Sequence, residues 1–212
     1  MRRTRRQADG FLQLTIAPAT EGINWVAGVD EVGRGALFGP VVAAAIILSD
    51  AAAIALQQAG VTDSKLLTPA RRESLAREIL SQATACHIGY ASVREIDRMN
   101  ILRASLLAMQ RAIARLSPTP DLCRIDGNQT IPQLLLAQEA VVKGDQHHVE
   151  IAAASIVAKV WRDRLITRLD RRYPGYDLAQ NKGYGTQKHR QAIATLGLTP
   201  QHRRSFTRSF QP

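Results

Sequence analysis

Between residues 25 and 48 the chain sets down two apolar runs with a polar turn between them. Trp25, Val26, Ala27 and Val29 lead into the adjacent acids Asp30 and Glu31; glycines 33, 35 and 39 follow, and Val41 begins a second run that lasts to Leu48. This pattern reads as strand, turn, strand. Next comes a short alanine-rich helix over 50–58, closing near Gly60, and then a helix over 70–80 that Thr68 caps and Pro69 opens. A third strand is expected over 86–91. Ser92 and Glu95 have the spacing of a capping box. Behind it Ile96, Met99, Leu102, Leu106, Met109, Ile113 and Leu116 form one stripe of a single long helix, with Arg103, Arg111 and Arg115 on its solvated side. Pro118 and Pro120 end that helix.

A short strand then runs into Asp126 and Gly127, and the apolar segment 140–142 leads to Gly144 and Asp145. The helix expected over 150–169 changes character midway. Its first half, 151–158, is apolar nearly all round and should lie buried against a sheet, whereas the half from Lys159 onward is charged. Asp163, between Lys159, Arg162 and Arg164, reads there as a helix salt bridge. Pro174 and Gly175 stop the helix, a glycine loop occupies 181–186, and Thr186 caps a last helix over 187–196. Residues 202–212 read as a loosely held basic tail.

Strands alternating with helices describe an α/β domain. The informative feature is repetition: three times an apolar strand delivers a carboxylate beside a glycine, giving Asp30 with Glu31, then Asp126, then Asp145. Ligands gather at strand ends in α/β sheets. Neighbouring strand residues face opposite ways, so Asp30 and Glu31 share one ion only if the strand ends or bulges there. A plain hairpin with a solvated acidic pair is the alternative. Four carboxylates brought together repel unless cations neutralise them, and hard divalent ions such as Mg²⁺ take oxygen ligands. Two such ions can clamp the attacking and leaving oxygens of a phosphodiester. No Cys/His cluster for zinc, Walker-type loop or G-x-S-x-G elbow is present, which argues against a triphosphatase or an esterase. His147 and His148 read as solvated loop residues.

Composition narrows the partner. The 212 residues, 45% hydrophobic, suffice for one core, and a formal net charge of +10 favours an anionic polymer, nucleic acid first. No window reaches the roughly 18 uninterrupted apolar residues of a membrane span, and the basic start at residues 2–6 lacks the apolar core of a signal peptide. Cys86 and Cys123 lie far apart without metal or redox spacing, as expected of small hydrophobes in a reducing cytoplasm. Residues 1–20 are expected to be a flexible basic arm, and 21–212 a single domain whose portion from about 174 is helical. In the 62–65 turn, Ser64 and Lys65 make a phosphate-friendly pair. Tyr184, on a Gly-x-Gly loop, can stack on a sugar or base or simply close a surface loop.

Taken together, Asp30, Glu31, Gly33, Arg34 and Gly35; Asp63, Ser64 and Lys65; Glu95 with Asn100; Asp126 and Gly127; Lys143, Gly144 and Asp145; Ala152 to Ile156; and Gly183, Tyr184, Gly185 and Thr186 resemble ribonuclease HII, in that family's order. The resemblance implies a ribonuclease H-like mixed sheet of five strands flanked by helices, with a C-terminal helical extension. It implies a monomeric endonuclease that cuts the RNA strand of RNA–DNA hybrids. It also implies incision 5′ of ribonucleotides embedded in duplex DNA, leaving 3′-hydroxyl and 5′-phosphate ends, with two Mg²⁺ or Mn²⁺ ions. Asp30, Glu31, Asp126 and Asp145 fall on the family's metal-binding acids, Gly33, Arg34 and Gly35 on its contact with the ribonucleotide, and Tyr184 on the residue that senses the RNA-to-DNA junction. Ser64, Lys65 and Lys182 match phosphate positions. Ala36 and Phe38 depart from the family's usual Pro and Ala, and the stretch 146–150 is unusual in character. Two rival classes are a non-catalytic nucleic-acid binder, which leaves the acids unexplained, and another nuclease of the same fold, such as a junction resolvase or ribonuclease HIII.

Overall fold

The computed structural model describes residues 24–207, so the expected basic arm lies outside the described residues. Five strands, β1 (Val26–Val32), β2 (Val41–Ile47), β3 (Ala85–Ala91), β4 (Leu122–Asp126) and β5 (Ala137–Val141), form one sheet in the order β3-β2-β1-β4-β5. β2 runs antiparallel to β1 and β3, while β1, β4 and β5 are mutually parallel. Helices α1 (Asp50–Gln58), α2 (Pro69–Gln82) and α5 (Val149–Asp170) cover one face; α3 (Val93–Met99) and α4 (Ile101–Ile113) cover the other. The alternation of β2 decides which residue joins which layer. Val41, Ala43, Ala45 and Ile47 pack under α4, whereas Ala44 and Ile46 pack under α5.

Small residues set the spacing of these layers. A Cβ on Gly28 would lie 2.2 Å from the backbone carbon of Glu150, so glycine on the central strand lets α5 rest directly on β1. The helix then passes over Asp30 with Ser155 facing it. Glycine at 89 does the same for α4, where a Cβ would stand 2.1 Å from the Ala108 carbonyl oxygen.

Two expectations need correction. The stripe from Ile96 to Leu116 belongs to two helices, because Asn100 adopts φ 73° and both closes α3 and caps α4 through the Arg103 N–H. The break resets the helical phase and leaves Leu102 exposed. The C-terminal part is also well held as far as it is described. After α6 (Leu178–Asn181) and α7 (Gln187–Leu196), the chain buries His202 and Arg203 and ends in α8 (Arg204–Thr207), whose first N–H groups donate to Asp97. No helix among the described residues is long and apolar enough to cross a membrane.

Candidate active site

The parallel strands bring the acids to one edge. β1 pairs with β4 as far as Val29 opposite Ile125, so Asp30 and Asp126 emerge side by side. Asp126 in turn lies opposite Val141 at the end of β5, after which the chain turns through left-handed Lys143 into the 3-10 turn Gly144–Gln146 that carries Asp145. β1 neither ends nor bulges at its acids, since its pairing with β2 continues unbroken to Val32 and Val42. The opening has another cause: β4 stops short, leaving residues 30–32 without a neighbour on that side. Asp30 and Glu31 therefore line one cleft of about 400 Å³ from a regular strand.

Asp30 and Asp145 are buried and Glu31 and Asp126 half-buried, and the four carboxylates are mutually repelling and only partly compensated. Asp30 accepts from the Glu31 N–H at 2.6 Å, and Asp126 Oδ1 from the Gly144 N–H at 2.7 Å. Glu31 faces Arg34 at 3.3 Å, and Asp145 faces the Lys65 ammonium at 3.7 Å. Burial, followed by the charges of Glu31 and Asp126, holds the Asp30 carboxyl well above the usual range, against a hydrogen bond with Ser155. Glu31 is raised by burial against the pull of Arg34, and Asp145 by burial and by Asp126 and Asp63 against Lys65. Lys65 itself is raised, because Asp63 and Asp145 outweigh its partial burial. This is an all-oxygen donor set with excess negative charge, which fits hard divalent cations. Among the described residues no three His, Cys, Asp or Glu side chains already converge into a closed coordination shell.

Two loops form the rim. Gly33, Arg34 and Gly35 border the same cleft as the acids, as does Tyr184. The loops are joined through backbone: Ala36 bridges to Tyr184, and the N–H groups of Leu37 and Phe38 both donate to the Gly183 carbonyl, at 2.8 and 3.2 Å. A Cβ at Gly183 would stand 2.7 Å from the Phe38 carbonyl oxygen, so this approach requires glycine there. The Tyr184 ring sits 5.5 Å from both the Lys159 ammonium and the Arg162 guanidinium. Ser64 hydrogen bonds with Ser155 at 3.0 Å, and the Lys65 N–H is fixed by Asp63 at 2.9 Å, so the 62–65 turn also borders the cleft. Lys182 is not brought to it. Its ammonium donates to Thr167 at 2.8 Å and to the Ala179 carbonyl, in a larger, 620 Å³ groove on the outer side of α2 and α5.

Two arginines on segments expected to be charged or loosely held, Arg162 and Arg203, are fully buried. Arg162 donates to the carbonyls of Pro40 at 3.1 Å, Phe38 at 2.9 Å and Lys182 at 2.9 Å; Arg203 donates to those of Gly39 at 3.0 Å and Arg34 at 2.7 Å. Between them they fasten the turn at 33–40 to the loop at 181–186. A signal for Arg162 was present, since positions 158, 162 and 166 share a helix face and both its neighbours are buried. Arg203 had none. Asp163 does pair with Lys159, at 2.9 Å, as expected of a helix salt bridge. His148 is not simply solvated: it is half-buried at the start of α5 beside Arg124 and Glu150, while His147 is exposed. Cys123 faces the core, its thiol pushed up to about 12 by burial.

Comparison with known proteins gives one consistent answer. The family described as ribonuclease HII matches residues 27–209. A ribonuclease HII of Acaryochloris marina is 66% identical over 181 residues, covering 85% of this chain and 91% of that protein. Among solved structures, ribonuclease H2 of Pyrococcus horikoshii superposes with a TM-score of 0.73 at 27% identity, over 88% of this chain and 97% of the other. The ribonuclease HII of Archaeoglobus fulgidus, solved in complex with PCNA, does so with a TM-score of 0.72 at 31% identity, over 85% and 94%.

Proposed function

Since this chain belongs to the ribonuclease HII family, we propose that it cuts both the RNA strand of RNA–DNA hybrids and duplex DNA 5′ of an embedded ribonucleotide, leaving 3′-hydroxyl and 5′-phosphate ends. Membership makes it a ribonuclease H-type nuclease and sets aside the resolvase, ribonuclease HIII and non-catalytic alternatives. The finer claim rests on one observation. A single cleft is lined both by Asp30, Glu31 and Asp126 and by the paired loops carrying Gly33 to Gly35 and Tyr184.

Asp30, Glu31, Asp126 and Asp145 would hold divalent cations, Mg²⁺ or Mn²⁺, which when bound lower the pKa of an attacking water and stabilise the leaving 3′ oxygen. The chain's own part is positioning. RNA differs from DNA at a given site by a 2′-hydroxyl that both donates and accepts. The backbone at Gly35 is open to such a group, since a Cβ there would meet nothing within 4 Å, whereas Gly33, at φ 89°, is packed against the Arg162 side chain, which lies 2.1 Å from where its Cβ would stand. Arg34, exposed beside it, suits an adjoining phosphate. Tyr184 packs on the next sugar, where a deoxyribose fits. Ser64 and Lys65 take phosphates across the cleft. Lys182 supports its loop from the outer groove, a role that its hydrogen bonds favour over direct phosphate contact.

The test is a cleavage assay on three duplexes, one with a single ribonucleotide, one an RNA–DNA hybrid and one all DNA, with and without Mg²⁺. Cleavage of the first two only, and only with metal, is expected. Cutting of the all-DNA duplex, or failure on the single ribonucleotide, refutes the reading.

A further inference from the structure

Behind the Tyr184 loop lies a chain of hydrogen bonds that the chemistry above does not use. His189 of α7 and His202 of the C-terminal segment are both buried, 0% and 1% exposed, and their Nε2 atoms are 3.1 Å apart. At one end His202 Nδ1 lies 2.9 Å from the Thr199 N–H; at the other His189 Nδ1 lies 2.9 Å from the Tyr184 carbonyl oxygen. A backbone N–H can only donate and a carbonyl only accept, so one proton arrangement satisfies both backbone groups and both rings, and the Thr199 hydroxyl, also 2.9 Å from His202 Nδ1, donates to the same acceptor in it. His202 accepts at Nδ1 and carries its proton on Nε2; His189 accepts that proton's hydrogen bond and carries its own on Nδ1, donating it to Tyr184. Both rings are neutral in this arrangement. A second proton on either would set donor against donor. The rings are further fixed by packing, with Phe38 edge-on to His202 at 5.0 Å and Tyr176 tilted against it at 4.9 Å.

We propose that His202 is a positioning residue for Tyr184: through His189 it orients the Tyr184 carbonyl, and so sets where the ring meets the sugar beside a ribonucleotide. The proposal rests on the junction-sensing reading of Tyr184. Its site is the C-terminal segment, away from the acids, and it gives that segment a part in discriminating substrates rather than in cutting them. Arg203, the next residue, holds the Arg34 carbonyl from the same segment. The two walls of the ribonucleotide pocket are thus referred to one short stretch of chain.

Two amide substitutions separate the halves of the relay. His202→Gln carries an N–H where Nε2 stood and keeps the donor to His189, whereas His202→Asn keeps an acceptor for Thr199 and loses that donor. The quantity read is the ratio of initial rates on the one-ribonucleotide duplex and on an RNA–DNA hybrid. His202→Asn should lower that ratio by about tenfold, the worth of one good hydrogen bond, and His202→Gln should retain most of it. Equal loss in both variants, or an unchanged ratio in His202→Asn while Tyr184→Ala abolishes it, overturns the proposal and leaves the function standing. An unchanged ratio in Tyr184→Ala refutes the sensing role itself. A readout independent of activity or variant folding is the nitrogen spectrum of the ¹⁵N-histidine-labelled wild type at pH 7. It should show His202 protonated on Nε2 and His189 on Nδ1; any other pair of tautomers overturns the relay.

Discussion

Burial and then three like charges, Glu31, Asp126 and Asp145, oppose the ionised form of Asp30. Asp30→Asn removes the repulsion without changing shape, so in metal-free buffer the variant should melt higher than wild type, by a gain on the order of 1 kcal/mol. Activity should fall by roughly two orders of magnitude or more, the scale for losing one preorganised electrostatic group. A thermal melt with EDTA and a cleavage rate with Mg²⁺ check the two halves, and a variant both less stable and still active contradicts the assignment. Arg162 presents the opposite case, a buried cation holding three carbonyls. Arg162→Met leaves those oxygens without a donor, at about 1–3 kcal/mol for each buried acceptor left unpaired, a loss visible in a urea titration. Buried His202, with its imidazole pushed down to about 4 by burial and then by His189, gives a pH dependence. The unfolded ring binds its proton near pH 6.5 and the folded one only near 4. Its contribution to stability is therefore complete above about 6.5 and is lost as pH falls toward 4. His202→Gln should flatten that limb of the curve in melts across the range.

Among the elements, the junction of α3 and α4 turns on Asn100, which is left-handed and caps the second helix. Asn100→Ala loses the cap and strains φ, so it should destabilise by roughly 1–2 kcal/mol, whereas Asn100→Gly should cost only a few tenths. Comparable losses in the two would mean that neither the cap nor the turn matters. This junction also shows where the sequence could be read and where it could not. A stripe with a period near three and a half runs straight through residue 100, and nothing in apolar spacing marks a break that depends on one dihedral angle. By contrast, Thr68, Ser92 and Thr186 announced the starts of α2, α3 and α7, because a cap is a local hydrogen bond between near neighbours. The acids were legible for a similar reason, each standing on or just after an apolar strand and close to a glycine, although β1 runs on past its pair. Arg162 and Arg203 escaped, since their partners are backbone carbonyls far off in sequence, and carbonyls leave no trace in residue type.

Across the whole molecule, a formal charge of +10 coexists with a cleft whose carboxylates repel phosphate. Binding must therefore come mainly from cations outside the acid cluster and from bound metal. Binding by Asp126→Asn, a variant expected to be inactive, should weaken linearly in log–log form as salt rises, with a slope that counts phosphate contacts. Fluorescence anisotropy with a labelled duplex measures it, and a flat response would remove the electrostatic account. The grip of Arg162 and Arg203 on the turn at 33–40 has a last consequence, for heredity rather than chemistry. Every amino acid brings the same carbonyl, so a clamp that holds carbonyls is indifferent to the side chains between them. The shape of the turn is thus written at a distance, in Arg162 and Arg203, and substitutions at Ala36 can change its letters while keeping its curve.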